Sequence, residues 1–228
     1  MQIEGIEKVS MVDYPNKIAT TVFTGGCNFR CPFCHNSGIV KKEYPLLDQD
    51  EIFEYLRQRK NLIDAVVVSG GEPTLQSDLE EFIVRIKELG YLVKLDTNGT
   101  NPFMLKNLLD KNLLDYVAMD IKNDFDHYDK ITGIDGINVE NVKKSLDILN
   151  KSGTSYELRT TLVNEFHKQA NIEQMAKDLA GEHVLYLQKF VNSDTCFDTS
   201  LTEVDKMTAV FYAGLLKETI DNVVLRGY

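Results

Sequence analysis

The stretch IATTVFTGGCNFRCPFCHN, residues 18–36, joins a β-branched apolar run to a loop that contains three of the chain's four cysteines. The run from Ile18 to Thr24 has the composition of a buried strand. Cys27, Cys31 and Cys34 follow it with the spacing C-x3-C-x2-C. Thiols this close together do not suit disulfides, so the pattern predicts a strand whose carboxyl end carries reactive or metal-bound thiols.

Five more short runs rich in β-branched and apolar residues predict strands at 64–69, 91–96, 116–121, 156–162 and 184–190. Helical spacing predicts helices at 47–59, 77–89, 101–110, 139–150, 171–179 and 202–220, and a final strand can form at 223–225. Asp48 is the predicted N-cap of the first helix and Ser77 opens the second, which Gly90 closes. Pro102 lies in the first turn of the third helix.

Six repeats of strand then helix predict an α/β fold with a parallel sheet and right-handed crossovers. Because six units are too few for a closed barrel of eight, we expect a partial (βα)6 barrel. Residues 1–17 are expected to add a short N-terminal β extension. No linker or low-complexity tract divides the sequence, so we expect one domain over residues 1–228, with its barrel core at 18–190 and a C-terminal loop, helix and short strand at 191–228.

Polar or reactive residues follow four of the predicted strands, at the point where each strand ends. The cysteine loop follows the first strand, SGGEP (69–73) the second and DTNG (96–99) the third, while Asp120 and Lys122 finish the fourth. In parallel βα folds, ligands bind at the carboxyl edge of the strands. The sequence therefore predicts one binding site on that edge.

The composition limits the classes of partner. The chain has 228 residues, a net charge of −10 and a pI near 4.9. An acidic chain is poorly suited to nucleic acid or an anionic membrane surface, so we expect neither as a partner. No stretch approaches the roughly 18 apolar residues of a membrane span, and the N-terminus lacks the apolar region of a secretory signal. We therefore expect a cytoplasmic protein with reduced thiols.

The three clustered thiols lack an obvious fourth metal ligand. Structural zinc takes four ligands, and no second pair of cysteines or histidines is present. His35 is adjacent to Cys34, and neighbouring residues seldom reach one tetrahedral metal without strain. Cys196 lies in a polar loop and is a candidate only if the fold brings it back. An iron–sulfur cluster remains, in which three thiolates leave one iron open to an exogenous molecule.

These motifs resemble the radical S-adenosylmethionine (SAM) superfamily, whose cluster loop is C-x3-C-x2-C with an aromatic residue before the last cysteine. SGGEPTLQSDL (69–79), DTNGT (96–100) and AMDIK (118–122) extend the likeness to activating enzymes of glycyl-radical proteins, above all the anaerobic ribonucleoside-triphosphate reductase activating branch. The likeness runs from about residue 5 to residue 190 and continues weakly to 224–227. It implies the partial barrel of the radical SAM type.

The resemblance also implies the function of an oxidoreductase. A [4Fe-4S] cluster would cleave S-adenosylmethionine reductively, and a glycyl radical would form on a partner polypeptide. A flavodoxin or ferredoxin would supply the electron. The oxygen-labile cluster suggests an anaerobic or facultative cytoplasm.

The resemblance assigns roles to individual residues. Cys27, Cys31 and Cys34 would bind three irons, and the amine and carboxylate of S-adenosylmethionine would chelate the fourth. The residues predicted to bind this cofactor are Phe33, Cys34, His35, Gly70, Gly71, Glu72, Asp96, Asp120, Lys122, Arg159 and Gln188.

Within that set, the two glycines would let the backbone approach the methionine end. Glu72 and Asp96 would accept the ammonium group, and Lys122 would pair with the carboxylate. The loop from Phe33 to His35 would lie near the adenine. Arg159 and Gln188 would face the ribose or the active cavity.

Hydrogen abstraction requires no acid–base residue, so none is assigned. His127, His167 and His183 are expected to be ordinary surface or loop residues.

Two other functions remain open from the sequence. One is a radical SAM enzyme that acts on a small molecule, such as a nucleoside-like heterocycle, which a small enclosed polar pocket beside the cluster would favour. The other is a non-catalytic iron–sulfur electron-transfer or structural metal protein. A full set of four protein ligands for the metal, or failure to bind S-adenosylmethionine, would favour this non-catalytic function.

Overall fold

The computed structural model describes all residues from 1 to 228 and has eight strands. The strands are β1 (Ile3–Ser10), β2 (Ala19–Thr24), β3 (Ala65–Gly70), β4 (Leu92–Thr97), β5 (Tyr116–Asp120), β6 (Ser155–Leu162), β7 (Val184–Lys189) and β8 (Asn222–Arg226). The helices are α1 (Ser37–Lys41), α2 (Gln49–Gln58), α3 (Leu79–Glu88), α4 (Pro102–Asp110), α5 (Tyr128–Thr132), α6 (Val139–Ser152), α7 (Gln169–Asp178) and α8 (Lys206–Leu216). No helix is both long and apolar enough to cross a membrane.

The chain forms two compact units, each assembled from separate segments. The first contains residues 1–28, 38–118 and 140–156, and the second contains residues 29–37, 119–139 and 157–228. Boundaries between them therefore fall inside the cysteine loop, inside β5 and inside β6, as well as at residues 37/38 and 139/140. The single domain expected from the sequence, with its three subdivisions, stays a prediction.

Strands in both units pair in the order in which they occur along the chain. In the first unit β1 pairs antiparallel with β2, and β2, β3 and β4 pair in parallel. In the second unit β6, β7 and β8 pair in parallel. These pairings confirm the predicted α/β class with a mostly parallel sheet and a short N-terminal β extension.

The first unit shows why the sequence forms these elements. Every residue from Ala65 to Val68 in β3 is fully buried, as a strand covered on both faces requires. Asp48 caps α2 as predicted, because its side chain accepts a hydrogen bond from the backbone N–H of Asp50. The apolar face of α2 packs Phe53 against Phe82 of α3, with ring centroids 5.1 Å apart.

Some predicted helix limits are wrong. The second predicted helix begins at Leu79 rather than at Ser77. The last predicted helix, 202–220, is shorter at both ends, at Lys206–Leu216. Thr202 is held outside it because its backbone N–H donates to the Glu165 carboxylate, and Asp205 caps the helix by accepting from the N–H of Thr208. The short helices α1 and α5 were not predicted.

Candidate active site

The three clustered cysteines are divided between the units. Cys27 belongs to the first, while Cys31 and Cys34 belong to the second. None of the four cysteines of the chain forms a disulfide. No group of three or more His, Cys, Asp or Glu side chains converges on a point that could hold a single metal ion. A four-iron cluster takes one thiolate per iron, so its ligands do not need to converge in that way.

In the first unit, the SGGEP loop lies directly against the start of the cysteine loop. The backbone N–H of Glu72 donates to the carbonyl of Gly26, and that of Gly71 donates to Thr24, both at 2.9 Å. A Cβ atom on Gly71 would lie 1.9 Å from the Gly26 oxygen, and one on Gly70, whose φ is +113°, would lie 2.3 Å from the Thr24 nitrogen. The chain's own backbone packing therefore requires both glycines. Their predicted approach to the methionine end of a cofactor stays a prediction.

Glu72 is fully buried and its carboxylate joins two strand-end loops. Oε1 accepts hydrogen bonds from the backbone N–H and hydroxyl of Thr74 and from the hydroxyl of Thr97. Oε2 accepts from the backbone N–H of Asn98 at 2.6 Å. Burial raises the pKa of Glu72, although the four donors act in the opposite direction. Glu72 thus braces the SGGEP loop against the DTNG turn, and its predicted contact with an ammonium group stays a prediction.

Asn98, which the sequence reasoning missed, approaches the thiol of Cys27. Its side-chain nitrogen donates to the Asn28 side chain at 2.9 Å and lies 4.0 Å from the Cys27 sulfur. Asn28 in turn donates to the Thr100 hydroxyl. Amide N–H groups beside a cluster sulfur tune its potential, so this pair is part of the candidate site. In the sequence, only the position of Asn98 directly after β4 indicated that it could belong to the site.

Asp96 is already engaged by protein groups of the first unit. The Ser69 hydroxyl donates to Asp96 Oδ2 at 3.0 Å, and the buried ammonium of Lys94 lies 2.9 Å from Oδ1. Lys94 also donates to the Asp13 carbonyl. A bound ammonium group would therefore share this carboxylate with Lys94, and the predicted role of Asp96 stays a prediction.

In the second unit, Asp120 sits between two cations. Lys122 Nζ lies 2.9 Å from Asp120 Oδ2, and Arg159 Nε donates to Oδ1 at 2.8 Å. Burial favours the neutral acid, but the charges of Arg159 and Lys122 outweigh it and lower the pKa of Asp120 to about 2. Burial also opposes the charge of Lys122, yet Asp120 raises the pKa of this ammonium. Lys122 stays cationic, 5.8 Å from the centre of the Phe33 ring, as a carboxylate-binding group must.

His167 lies in a loop, as one of the predicted alternatives, but it is buried rather than at the surface and contacts the backbone of Lys122. Its ring is fully buried, with Nδ1 accepting from the N–H of Val163 at 3.0 Å and Nε2 3.0 Å from the carbonyl of Lys122. Nε2 therefore carries the proton and donates. Burial lowers the pKa of His167, so it stays neutral. His127 and His183 keep exposed rings, as predicted.

Aromatic rings line the later part of the cysteine loop. The rings of Phe33 and Phe190 meet edge to face with centroids 6.4 Å apart, and His35 stacks on Phe190 at 5.7 Å. His35 Nε2 also lies within hydrogen-bond distance of the Val191 carbonyl. Phe190, at the end of the sixth predicted strand, was not among the predicted site residues. The loop residues predicted to lie near adenine are thus fixed in place by the segment after β7.

The fourth cysteine returns to the cysteine loop within the second unit. The buried Cys196 sulfur lies 3.7 Å from the carbonyl of Phe33, and the backbone N–H of Asp198 donates to the carbonyl of Pro32. The fold thus brings Cys196 close to the cysteine loop. Its sulfur faces a carbonyl oxygen, however, which suits a thiol donor and not a thiolate.

Burial raises the pKa of Cys31 to about 11 and also raises that of Cys34. Such thiols become thiolates only when a cation replaces their protons, which coordinated iron does. In the sequence Cys27 completes the C-x3-C-x2-C motif with them, and within the second unit the Lys122 ammonium gives a partner for a carboxylate. These residues fit an iron–sulfur cluster and S-adenosylmethionine.

Comparison with known proteins places this site in a family. The profile described as "Radical SAM superfamily" matches residues 21–179. A Methanocaldococcus jannaschii protein with the provisional name glycyl-radical enzyme activating enzyme is 36% identical over 231 residues, which cover 98% of this chain and 95% of that protein. A second protein of that organism with the same provisional name is 33% identical over 78% of this chain and 68% of its own length. A Saccharolobus solfataricus protein with the provisional name GTP 3′,8-cyclase is 37% identical, but over only 55% of this chain and 42% of its own length.

Solved structures agree on the fold. A domain of pyruvate-formate lyase-activating enzyme from Bacteroides vulgatus has a TM-score of 0.53 at 15% identity, covering 72% of this chain and 99% of the domain. SuiB from Streptococcus suis, bound to its precursor peptide SuiA, has a TM-score of 0.70 at 13% identity, covering 91% of this chain and 48% of SuiB. These likenesses confirm the predicted radical SAM type of fold. The chain belongs to the radical SAM superfamily, whose members use a [4Fe-4S] cluster and S-adenosylmethionine.

Proposed function

We propose that this radical SAM enzyme activates a glycyl-radical enzyme by generating a radical on a glycine of a partner polypeptide. We further propose that the partner is an anaerobic ribonucleoside-triphosphate reductase. The observation that carries the proposal is the 36% identity, over nearly the whole of both chains, with a protein named as an activating enzyme of this kind. The DTNGT and AMDIK motifs support the choice of the reductase.

Different residues of the chain would bind the cluster and S-adenosylmethionine. Cys27, Cys31 and Cys34 would hold three irons of the cluster. When bound, the cluster supplies the electron that cleaves S-adenosylmethionine so that a hydrogen atom can be taken from glycine. Lys122 would bind the cofactor's carboxylate, while Asp120 fixes the direction of that ammonium.

The remaining predicted cofactor contacts are also part of the proposal. Gly70, Gly71, Glu72 and Asp96 would lie on the ammonium side, where the first two present backbone carbonyls. Phe33, Cys34 and His35 would face the adenine. Arg159 and Gln188, on β6 and β7, would face the ribose or the substrate.

A flavodoxin or ferredoxin is the proposed reductant, because cleaving the sulfonium requires a strong one-electron donor. A cytoplasmic location, reduced and poor in oxygen, suits the buried thiols and the open cluster. The net charge of −10 supports the absence of nucleic acid or an anionic membrane as a partner.

The test is anaerobic reconstitution with iron and sulfide, followed by S-adenosylmethionine, a strong reductant and the reductase polypeptide of the source organism. We expect 5′-deoxyadenosine and a glycine-centred radical by electron paramagnetic resonance. A reductase labelled with dideuterated glycine should pass one deuterium to the nucleoside product. A Cys31→Ala variant is the matched control and should give neither signal. Cleavage by the intact enzyme with no radical on the polypeptide would refute the proposed partner.

The small-molecule alternative has one observation in its favour, the partial match to proteins provisionally named GTP 3′,8-cyclase. That match covers about half of this chain. The same reaction with GTP in place of the polypeptide separates the two functions, because a cyclase consumes GTP in proportion to 5′-deoxyadenosine. Membership of an enzyme superfamily argues against the third reading, a non-catalytic electron carrier.

A further inference from the structure

One face of β6, β7 and β8 in the second unit carries a continuous row of polar side chains. Arg159 of β6 lies opposite Tyr186 of β7, and Gln188 of β7 lies opposite Arg226 of β8. Side chains two apart on a strand share a face, so Glu157 joins Arg159 on this face. The predicted site residues Arg159 and Gln188 thus belong to a larger surface whose last member, Arg226, no assigned role explains.

The guanidinium of Arg226 is fixed on two sides. It stacks on the Tyr186 ring at 3.9 Å, and its two terminal nitrogens donate to the two carboxylate oxygens of Glu157, each at 3.2 Å. The Glu157 side chain is only 2% exposed, whereas that of Arg226 is 40% exposed. A guanidinium has five N–H donors, and Glu157 takes two of them. Three further N–H donors remain on a group that these contacts hold in one orientation.

The row connects this guanidinium to the proposed cofactor site. Arg159, two residues after Glu157 on the same face, donates to Asp120, the carboxylate that also holds Lys122. The Arg226 side chain is 40% exposed, whereas that of Arg159 is 13% exposed. Arg226 is thus the solvent-facing end of a surface that begins beside the proposed cofactor carboxylate.

The charge balance of the row indicates what it binds. Glu157 balances Arg226, so this guanidinium offers directed N–H donors with little surplus positive charge, whereas Asp120 is shared by Arg159 and Lys122. A polyphosphate requires surplus positive charge, whereas a peptide main chain offers neutral carbonyl oxygens that accept such donors.

We propose that Arg226, oriented by Glu157 and Tyr186, binds the polypeptide substrate by donating hydrogen bonds to main-chain carbonyls of the segment that carries the target glycine. This inference rests on the proposed function, since it requires a polypeptide substrate. Arg226 contacts the substrate beside the reacting glycine and takes no part in the cleavage of S-adenosylmethionine.

The test compares Arg226→Gln with the intact enzyme in two reactions. Without the polypeptide, we expect the rate of S-adenosylmethionine cleavage and the iron content to stay within about twofold. With the reductase polypeptide, we expect its KM for radical formation to rise by about tenfold or more, as the loss of one or two hydrogen bonds predicts. An Arg226→Lys variant keeps the charge but loses the planar fork, and it should resemble Arg226→Gln.

Two further variants guard against a purely structural effect. Arg226→Gln removes the guanidinium that pairs with the buried Glu157, so the double variant Glu157→Gln/Arg226→Gln also removes the carboxylate charge and should show the same raised KM. Arg57→Gln is the matched control, because Arg57 also pairs with a glutamate, Glu54, on the exposed surface of α2. It should change neither reaction.

The outcomes are distinguishable. If the intact enzyme forms no radical on the reductase, the proposed function fails and this inference falls with it. If it does, and KM is unchanged in Arg226→Gln, only the inference is overturned. Loss of uncoupled cleavage in both the single and the double variant would show a structural role and also overturn it.

Discussion

Replacing Asp120 by Asn tests the electrostatic centre of the second unit. The Asp120 carboxylate lies 2.9 Å from Lys122 Nζ and 2.8 Å from Arg159 Nε. All three side chains are largely buried, with exposures of 28%, 17% and 13%. Asparagine keeps the size of the side chain and removes its charge. The two cations would then face each other across a neutral amide, so the substitution should destabilise the folded chain.

The pKa of Asp120 sets the expected loss of folding free energy in this variant. It is held at about 2, compared with an ordinary value of 3.8, because the charges of Arg159 and Lys122 outweigh the effect of burial. At about 1.4 kcal/mol per pH unit, this difference corresponds to about 2.5 kcal/mol of folding free energy at neutral pH. Because the folded pKa is depressed, this contribution is fully present above pH 3.8 and is lost as the pH falls towards 2. The variant should therefore differ most from the native protein at pH 7.

The assay is urea denaturation of cluster-free protein at a series of pH values from 7 to 3. We expect Asp120→Asn to lower the free energy of unfolding by about 2.5 kcal/mol or more at pH 7, with the difference shrinking below pH 4. Asp110→Asn is the matched control, since Asp110 pairs with Lys106 on the surface of α4 with 61% exposure, and it should have a much smaller effect. Equal losses for the two variants, or a loss independent of pH, would refute the electrostatic reasoning.

Three further substitutions test the loops of the site. Gly71→Ala places a methyl group 1.9 Å from the Gly26 oxygen and should cost about 1–3 kcal/mol in urea denaturation; an unchanged midpoint would contradict the predicted clash. Glu72→Gln keeps the shape but turns an amide N–H₂ towards one of the four donors, and the same measurement should show a loss of about 1–3 kcal/mol. Cys196→Ser should leave the iron and sulfide content of reconstituted protein unchanged, whereas a clear loss of iron would make Cys196 a ligand.

The strands could be predicted closely because their signal is local. Runs such as the one from Ala65 to Val68 are apolar at every position, and burial on both faces is what such runs require. The cap at Asp48 was also readable, because a side chain that accepts from the first turn is a property of a few adjacent residues. The start of α8 was not readable in this way, since Thr202 is held by Glu165, a residue distant in sequence.

The same distinction between local signals and contacts distant in sequence applies to the candidate site. Strand-end position pointed to Glu72, Asp120 and Lys122, because parallel strands place their carboxyl ends on one edge. It did not show which partners each side chain has. The bonds from the Thr97 hydroxyl to Glu72 and from His167 to the carbonyl of Lys122 join segments 25 and 45 residues apart, and no spacing rule connects them.

The charged groups of the site serve first to fix its own loops. The Glu72 carboxylate accepts four hydrogen bonds from neighbouring loops, and the Asp120 carboxylate orients two cations. A carboxylate that already accepts hydrogen bonds or pairs with cations of the protein adds little binding free energy for a ligand. It does, however, fix the positions of the groups around it. In the proposed recognition, the donors of Lys122 and Arg226 that remain would bind the ligands, and the contacts described above hold these two side chains in place. Such preorganisation suits the proposed reaction, in which a radical must abstract one particular hydrogen atom from glycine.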